Sequence, residues 1–317
     1  MRIGILLMII VLALGLPIAA QEATPEPLPG CDQPSVNVVA TIGMIADVVS
    51  VIGGNCVEVT AMMGPGVDPH LYTATEGDVE LLFDADIIFY GGLHLEARMT
   101  DVFEQVREGL GKPTIPVSES IPEDLLLTAP QYNTPDPHVW MDVQLWMIVT
   151  EAIRDGLSEY LPEQADYFAQ NTDAYLQEME ALDEYVREQI ERIPEEQRIL
   201  VTAHDAFQYY SRAYGIDVHA PQGITTEAEV GVQDIRATID LLVERQIPTI
   251  FAESSVSPDV VEAIVAGARD RGLDVSIGGS LFSDAMGEAG TPEGTYLGMI
   301  RHNTDTIVNG LLGEEAE

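Results

Sequence analysis

The sequence predicts an α/β protein of two lobes, each with a roughly four-stranded sheet flanked by helices, joined by one long rigid helix. Short runs rich in β-branched residues alternate with longer amphipathic stretches, which is the pattern of α/β proteins. The alternation occurs twice, on either side of a helix-like segment at residues 162–194. A chain of 317 residues with 46% hydrophobic content is also long enough for two compact units.

The first lobe is predicted to span residues 35–161. Its strand candidates are short apolar runs, and the stretches between them have the spacing of amphipathic helices. The candidates are residues 37–41, 57–62, 86–90 and 114–117. These runs indicate β-α-β units.

A single long helix is predicted between Pro162 and Pro194. The segment between these prolines contains no glycine and no turn signal, and its apolar positions are spaced by three, four and seven residues. Those positions are Phe168, Tyr175, Met179, Leu182, Val186 and Ile190. At 1.5 Å per residue the helix would extend for about 50 Å, so we expect a stiff connection between the lobes.

The second lobe is predicted to span residues 195–317. Its strand candidates are residues 199–203, 216–220, 249–252 and 274–277. Ser257-Pro258 offers an N-cap with proline at the first helical position, and Gly272 follows two arginines as a stop signal. A helix is therefore expected over residues 260–271.

The N-terminal residues indicate export. Arg2 precedes an apolar run at residues 3–16, and residues 17–20 end on two small residues, which together predict a signal peptide over residues 1–20. A retained membrane anchor is the alternative, but the run is shorter than the roughly 20 residues that span a bilayer. The acidic, proline-rich residues 21–34 are expected to form a flexible tether, placing the protein in the periplasm or outside the cytoplasm, free or associated with the cell envelope.

Two cysteines, Cys31 and Cys56, leave two interpretations open. Export permits a disulfide between them, because both precede strand candidates that would be neighbours in a β-α-β unit. The other interpretation is that Cys31 is a lipid-modified N-terminus. A lipid-modified cysteine should follow the apolar run closely, whereas here the tether intervenes.

The charge of the chain excludes one class of partner. Lysine and arginine number 14 against 53 acidic residues, a formal net charge of −39. Nucleic acid is therefore not an expected partner. The acidity favours cations near the surface, but it does not identify a site.

Four residues are candidate metal ligands. His70 and His138 each end an Asp-Pro-His tripeptide in a loop-like region, where proline stiffens the backbone that presents the imidazole. His204 and Asp284 each follow a strand candidate, and open α/β sheets bind ligands at the carboxyl ends of their strands. Three imidazoles and one carboxylate suit zinc or another divalent transition metal.

Glu253 and the remaining histidines have different expected roles. Glu253 follows another strand of the second lobe and is expected to accept a hydrogen bond from a ligand histidine. His94, His219 and His302 lie at a strand exit, in a strand and on a terminal helix, where structural roles are expected. No P-loop, Gly-x-Ser-x-Gly or His-Glu-x-x-His pattern occurs, so these motifs give no support for an enzyme.

Several motifs in fixed order resemble one known family from about residue 38 to residue 311. They include Met63-Gly-Pro-Gly-Val-Asp-Pro-His70, Gly92-Leu-His-Leu-Glu96, Asp136-Pro-His-Val-Trp140, Val201-Thr-Ala-His-Asp-Ala-Phe207, Phe251-Ala-Glu-Ser-Ser255, Gly279-Ser-Leu-Phe-Ser-Asp-Ala-Met-Gly287 and Glu293-Gly-Thr-Tyr296. The chain resembles the cluster A-I metal-binding receptors of ABC importers, the TroA/ZnuA/PsaA-like family, and is most similar to TroA-type members.

The resemblance implies an extracytoplasmic receptor, not an enzyme, that delivers a divalent metal to an ABC permease and its ATPase, and we expect a monomer. It also implies that His70 and His138 come from the first lobe and that His204 and Asp284 come from the second. A histidine at position 204 favours Zn²⁺ as the transported ion, with Mn²⁺ as the alternative. The histidine-rich loop of many zinc-specific members is missing, since residues 118–134 contain no histidine.

Two other functions remain as alternatives. An exported zinc hydrolase could use the same residues, but four protein ligands fill a tetrahedral ion, whereas catalytic sites keep a position for water. An adhesin-like interaction protein is the second alternative, and no repeats support it in this sequence.

Overall fold

The computed structural model describes residues 28–32, 34, 36–129 and 134–314. The predicted signal peptide at residues 1–20 and the tether as far as residue 27 lie outside the described residues. Within the described part of the chain, no helix is long and apolar enough to cross a membrane.

The first lobe contains a four-stranded parallel sheet in the order β2-β1-β3-β4. Its strands are β1 (Val36–Ala40), β2 (Val57–Ala61), β3 (Ile87–Tyr90) and β4 (Thr114–Pro116). Strands β1 and β3 lie in the centre, and Val38, Ile87 and Phe89 are buried there, as expected for a parallel sheet covered on both faces. The chain reverses its winding direction between β1 and β3, which is where sheets of this kind bind ligands.

Four helices accompany this sheet. They are α1 (Gly43–Gly53), α2 (Glu76–Asp84), α3 (Thr100–Glu104) and α4 (Val143–Tyr160). Helix α2 begins at a capping box, in which the Thr75 hydroxyl accepts from the Asp78 amide and the Asp78 carboxylate accepts from the Thr75 amide. A short antiparallel ladder of β5 (Thr128–Ala129) and β6 (Thr134–Pro135) precedes His138.

Cys31 and Cys56 form a disulfide in the structure, with their Cα atoms 4.9 Å apart. The bond ties the segment before β1 to the turn before β2, and these two strands are neighbours in the sheet. Of the two interpretations open for Cys31, the structure contains the disulfide.

One long helix, α5 (Ala165–Glu191), follows the first lobe. A 3₁₀ turn, Pro162–Gln164, precedes it, so the helix is shorter than the predicted segment and extends about 40 Å. All six predicted apolar positions of α5 are buried. The helix contacts α1 and α4 of the first lobe and α9 (Tyr296–Leu312) of the second, so it packs along both lobes.

The second lobe contains two parallel strand pairs that lie side by side. Strand β7 (Ile199–Val201) pairs with β8 (Asp217–His219), β9 (Thr249–Glu253) pairs with β10 (Ser276–Leu281), and β7 contacts β9. The prediction that the last strand ends near Ile277 is wrong. Pairing with β9 is interrupted after Ile277 and resumes at Ser280, because the intervening Gly278 and Gly279 form an irregularity that the ladder spans.

Three further helices complete the second lobe: α6 (Gln208–Tyr214), α7 (Val232–Arg245) and α8 (Asp259–Asp270). Helix α8 agrees with the predicted helix to within one residue. Pro258 is its N-cap rather than its first helical residue, and Gly272 has the expected positive φ, 88°.

The larger of two apolar clusters in the described residues runs from the first lobe into the second. Residues of β1, β3 and α4 belong to the same buried cluster as Phe251, Leu281, Met286 and Tyr296 of the second lobe. A smaller cluster lies among α7, α8 and the strands beside them. The α/β class and the long connecting helix are thus confirmed, and the lobes are joined by packing as well as by the chain.

Candidate metal centre

The four predicted ligands meet in one place between the lobes. His70 lies in the loop after β2, His138 follows β6, His204 follows β7 and Asp284 follows β10. One potential ligand atom from each lies within 4.8 Å of all the others. Each residue is at most 3% exposed, so the group is closed to solvent.

Several of the distances between these atoms are close to those around a tetrahedral ion. The Nε2 atoms of His70 and His138 are 3.3 Å apart, Oδ1 of Asp284 lies 3.3 Å from His138 Nε2, and Oδ2 of Asp284 lies 3.2 Å from His204 Nε2. Ligands about 2.05 Å from a tetrahedral zinc ion are separated by roughly 3.3 Å. His70 Nε2 is somewhat farther from the Asp284 carboxylate, at 3.7 Å.

Several polar atoms at this centre have no hydrogen-bond partner. Both carboxylate oxygens of Asp284 and Nε2 of His204 are buried without one. Buried polar atoms are nearly always satisfied, because leaving them without a partner costs about 1–3 kcal/mol each. A cation bound among them would satisfy all three atoms.

The two Asp-Pro-His tripeptides form similar turns. The Asp68 carboxylate accepts the backbone amide of His70 at 2.8 Å, and the Asp136 carboxylate accepts that of His138 at 3.0 Å. Asp136 also lies 2.7 Å from Nδ1 of the His138 ring. This contact orients the ring so that Nε2 faces the centre.

Glu253 orients the third imidazole. One of its carboxylate oxygens accepts the backbone amides of Ala203 and His204, both at 2.8 Å, and the other contacts Nδ1 of the His204 ring. Glu253 lies at the end of β9, beside the end of β7, so the acceptor comes from a neighbouring strand. This is the position expected for Glu253 from the sequence.

The charges behind the imidazoles set the protonation of two of them. Burial lowers the pKa of His70 to about 3. Burial would also lower the pKa of His138, but Asp136 and Asp284 outweigh it and raise that pKa to about 9. His138 therefore binds a proton at neutral pH when no metal ion is present.

The same balance applies to His204 and Asp284. Burial would lower the pKa of His204, yet the carboxylates of Glu253 and Asp284 raise it well above its ordinary value. Burial would raise the pKa of Asp284, but His204 and His138 hold it well below the usual range of a carboxyl group. The centre thus keeps an ionised carboxylate surrounded by imidazoles, which is a cation-binding arrangement.

The other histidines do not join the group. His94 is exposed and has a left-handed backbone with a φ of 68°. His219 hydrogen-bonds with the Thr238 hydroxyl at 2.9 Å, and His302 lies on α9, 3.2 Å from the Ser280 carbonyl.

Two sets of residues that hold the site are not predicted from the sequence. Asp136 was seen only as part of a turn, although the repeated tripeptide already placed a carboxylate two residues before each histidine. The second set joins the lobes: Trp140 donates from its indole to the Ser283 carbonyl at 2.8 Å, and the Tyr296 hydroxyl donates to the Trp140 carbonyl at 2.9 Å. No sequence pattern indicated the latter, because the partners are more than 140 residues apart.

Comparison with known proteins identifies the family. The chain is 49% identical to the zinc-binding protein TroA of Treponema pallidum over 274 residues, which cover 86% of this chain and 88% of that protein. It is 46% identical to the manganese-binding lipoprotein MntA of Bacillus subtilis over 276 residues, which cover 87% and 90%.

Solved structures and a family profile agree with these relatives. The fold superimposes on the periplasmic zinc-binding protein TroA of Treponema pallidum with a TM-score of 0.85 and 48% identity, covering 87% of this chain and 99% of that one. The family model for ZnuA, the periplasmic zinc-uptake complex component A, matches residues 38–310. The chain therefore belongs to the ZnuA family of zinc-uptake complex component A proteins.

Proposed function

We propose that this protein is an extracytoplasmic solute-binding protein that captures a divalent transition metal and delivers it to an ABC importer. The observation that carries the proposal is the closed group of His70, His138, His204 and Asp284, in which buried polar atoms face one another without partners. Four protein ligands fill a tetrahedral ion and leave no position for a catalytic water. This arrangement suits capture of an ion and not turnover of a substrate.

Zinc is the favoured ion and manganese the alternative. Three imidazoles and one carboxylate form a ligand set that zinc accepts readily, whereas manganese prefers a larger share of oxygen ligands. The relatives support both ions, because one is named for zinc and the other for manganese. The first coordination sphere gives zinc the advantage.

The partners and the location follow from the family. A receptor of this kind works with a membrane permease and its cytoplasmic ATPase, and it acts outside the cytoplasm as an exported or envelope-associated protein. We expect a monomer, since one chain supplies all four ligands. We also propose lobes at residues 35–161 and 195–317, joined through residues 162–194. The family membership gives no support to the hydrolase or adhesin alternatives.

The test is elemental analysis of protein purified without added metal, followed by competition between Zn²⁺ and Mn²⁺. We expect about one ion per chain and preference for zinc. The His204→Ala variant should lose the ion, whereas His302→Ala, on helix α9 and outside the group of four, should keep it. A protein that binds neither ion, or a His204→Ala variant that binds like the parent, would contradict the proposal.

A further inference from the structure

A metal ion can reach the centre only if part of the protein opens. His138 and His204 are fully buried, and His70 and Asp284 are at most 3% exposed. The four ligands come from two lobes that meet along a seam, and the two ends of this seam are held by different kinds of contact. The difference between them indicates which end opens.

One end of the seam is held by buried aromatic hydrogen bonds. Besides the bonds of Trp140 with Ser283 and Tyr296, the Tyr209 hydroxyl donates to the Asp136 carbonyl at 2.9 Å. All of these side chains are buried. Separating the lobes here would expose large apolar rings and leave buried polar groups without partners.

The other end is held by the connection between β8 and α7, residues 220–231, which we term the mouth loop. Its Thr226 hydroxyl donates to the Asp68 carboxylate of the first lobe. Its Glu227 pairs with Arg98 of the first lobe at 3.1 Å, and both side chains are more than 40% exposed. Arg98 also donates to the Leu71 carbonyl at 3.1 Å, next to His70 in sequence.

A cavity of about 250 Å³ lies directly under this loop and reaches the metal centre. At about 30 Å³ per water molecule, it has room for a partly hydrated ion. Its lining includes His70, Leu93, His94, Ala97, Ile224 and Glu227. It is the space between the mouth loop and a ligand of the proposed site.

We infer that the metal ion enters and leaves through this cavity, and that the Arg98–Glu227 ion pair is a latch that sets the rate of release. The inference rests on the proposed function. The pair closes the exposed end of the seam without touching a ligand atom, so its loss favours the open form and leaves the coordination intact. Exposed pairs contribute little energy, which suits a contact that must break whenever an ion is delivered.

The latch is tested by the rate at which zinc-loaded protein releases Zn²⁺ to excess chelator in stopped-flow measurements. Arg98→Ala and Glu227→Ala should each speed release about twofold to fivefold, the range expected for an exposed ion pair. The double variant should be no faster than the faster single variant, and the charge-swapped Arg98→Glu/Glu227→Arg variant should return towards the parent rate.

Arg192→Ala is the matched control for the latch. Arg192 pairs with Glu314 at 2.8 Å, and their side chains are 45% and 49% exposed, against 41% and 46% for Arg98 and Glu227. This pair lies away from the metal centre, at the ends of α5 and α9, so its loss should leave release unchanged. Single latch variants that release zinc no faster than Arg192→Ala would overturn the latch.

The route is tested by a second matched pair, Ala97→Trp and Ala289→Trp. Both alanines are exposed, and each lines a cavity of about 250 Å³, Ala97 at the mouth loop and Ala289 beside Met286 elsewhere along the seam. An obstruction on the route slows association and release by the same factor and leaves the dissociation constant unchanged. We expect this for Ala97→Trp alone.

The opposite result, slowing by Ala289→Trp alone, would overturn the route. Equilibrium binding by the unmodified protein separates this inference from the function on which it rests. A parent protein that binds neither Zn²⁺ nor Mn²⁺ refutes the proposed function. A parent that binds normally, with variants that exchange zinc at the parent rate, refutes only the latch and the route.

Discussion

At the centre of the site, Asp136 and Glu253 each lie against the Nδ1 atom of one imidazole, and these contacts decide how protons and metal compete. A carboxylate behind the ring fixes Nε2 towards the ion, and it also stabilises the protonated ring when no ion is bound. Within the described residues, His70 has no carboxylate on its Nδ1 atom. Burial is the largest influence on the pKa of His70 and lowers it to about 3.

The first prediction is that zinc binding near pH 7 releases about two protons. His138, with a pKa of about 9, and His204, with a pKa well above 6.5, are protonated in the metal-free protein and must be neutral to coordinate. His70 has no proton to lose at this pH. Calorimetry in buffers of different ionisation enthalpy measures the number.

The pH dependence has a definite sign. Zinc affinity should rise as pH increases towards about 9, where His138 loses its proton, and should weaken as pH falls. For the metal-free protein, the raised pKa of His138 contributes stability below about 6.5 that is lost as pH rises through about 9. Zinc binding with no proton release at pH 7 would contradict this account.

The second prediction concerns metal choice at His204. Replacing His204 with glutamate should lower the ratio of zinc to manganese affinity by about tenfold, because a hard oxygen replaces imidazole. The new carboxylate would lie against Glu253, so both affinities should fall unless Glu253→Gln is added to remove the repulsion. Competition titrations on the single and double variants measure the ratio. An unchanged ratio would mean that the other three ligands set selectivity.

At the scale of elements, helix α5 does more than connect the lobes. Its buried Asp183 accepts hydrogen bonds from Gln144 of α4 at 3.1 Å and from the Tyr214 hydroxyl of α6 at 3.0 Å, and it pairs with Arg187 one turn along. Helices α4 and α6 belong to different lobes. The Asp183 carboxylate of α5 therefore forms a hydrogen bond with one helix of each lobe.

The third prediction is that Asp183→Ala lowers the free energy of unfolding by about 2–3 kcal/mol, because it leaves the buried Tyr214 hydroxyl without its acceptor and also removes the acceptor of Gln144 and Arg187. Zinc affinity should change little, since Asp183 is not among the clustered ligands. Asp173→Ala, at an exposed position of the same helix, is the control and should be nearly neutral. Urea denaturation measures the free energy of unfolding of both variants. Equal losses in Asp183→Ala and Asp173→Ala would show that the hydrogen bonds of Asp183 do not stabilise the fold.

At the scale of the molecule, the apolar core continues from one lobe into the other, so the two lobes are packed against each other. Wide hinge opening would expose this core, whereas movement of the mouth loop breaks the Thr226–Asp68 hydrogen bond and the exposed Arg98–Glu227 ion pair and uncovers one buried apolar side chain, Ile224. The candidate metal centre lies on the same seam, and each lobe supplies two of its four side chains. An ion bound by all four residues would therefore be a further link between the lobes.

The fourth prediction is that zinc stabilises the whole fold. At a free concentration of about 1,000 times the dissociation constant, binding should add roughly 4 kcal/mol and raise the melting temperature by about 10 °C. His70→Ala and Asp284→Ala, one from each lobe, should each lose most of this rise, whereas His302→Ala should retain it. Scanning calorimetry with and without zinc checks this within each variant. A full response in Asp284→Ala would refute a site shared between the lobes.

The features that the sequence by itself determined are local ones. The apolar positions of α5, the Asp-Pro-His turns and the strands that precede His204 and Asp284 each depend on residues a few positions apart, so periodicity and turn chemistry reveal them. A carboxylate at Glu253 could be assigned to a ligand histidine because both follow strands of one lobe. Local patterns also indicated all four candidate ligands, and the family resemblance implied which lobe supplies each of them.

The tertiary structure alone decided the features that join distant segments. Strand β10 extends beyond the glycines that end its local pattern, because its partner β9 restores the pairing at Ser280. The Trp140–Ser283 bond and the Arg98–Glu227 pair connect residues more than 120 positions apart. The sequence around each of these residues does not indicate which distant residue it contacts. Such contacts exist only once the two lobes have met, since a hydrogen bond or an ion pair is set by distance in space and not by separation along the chain.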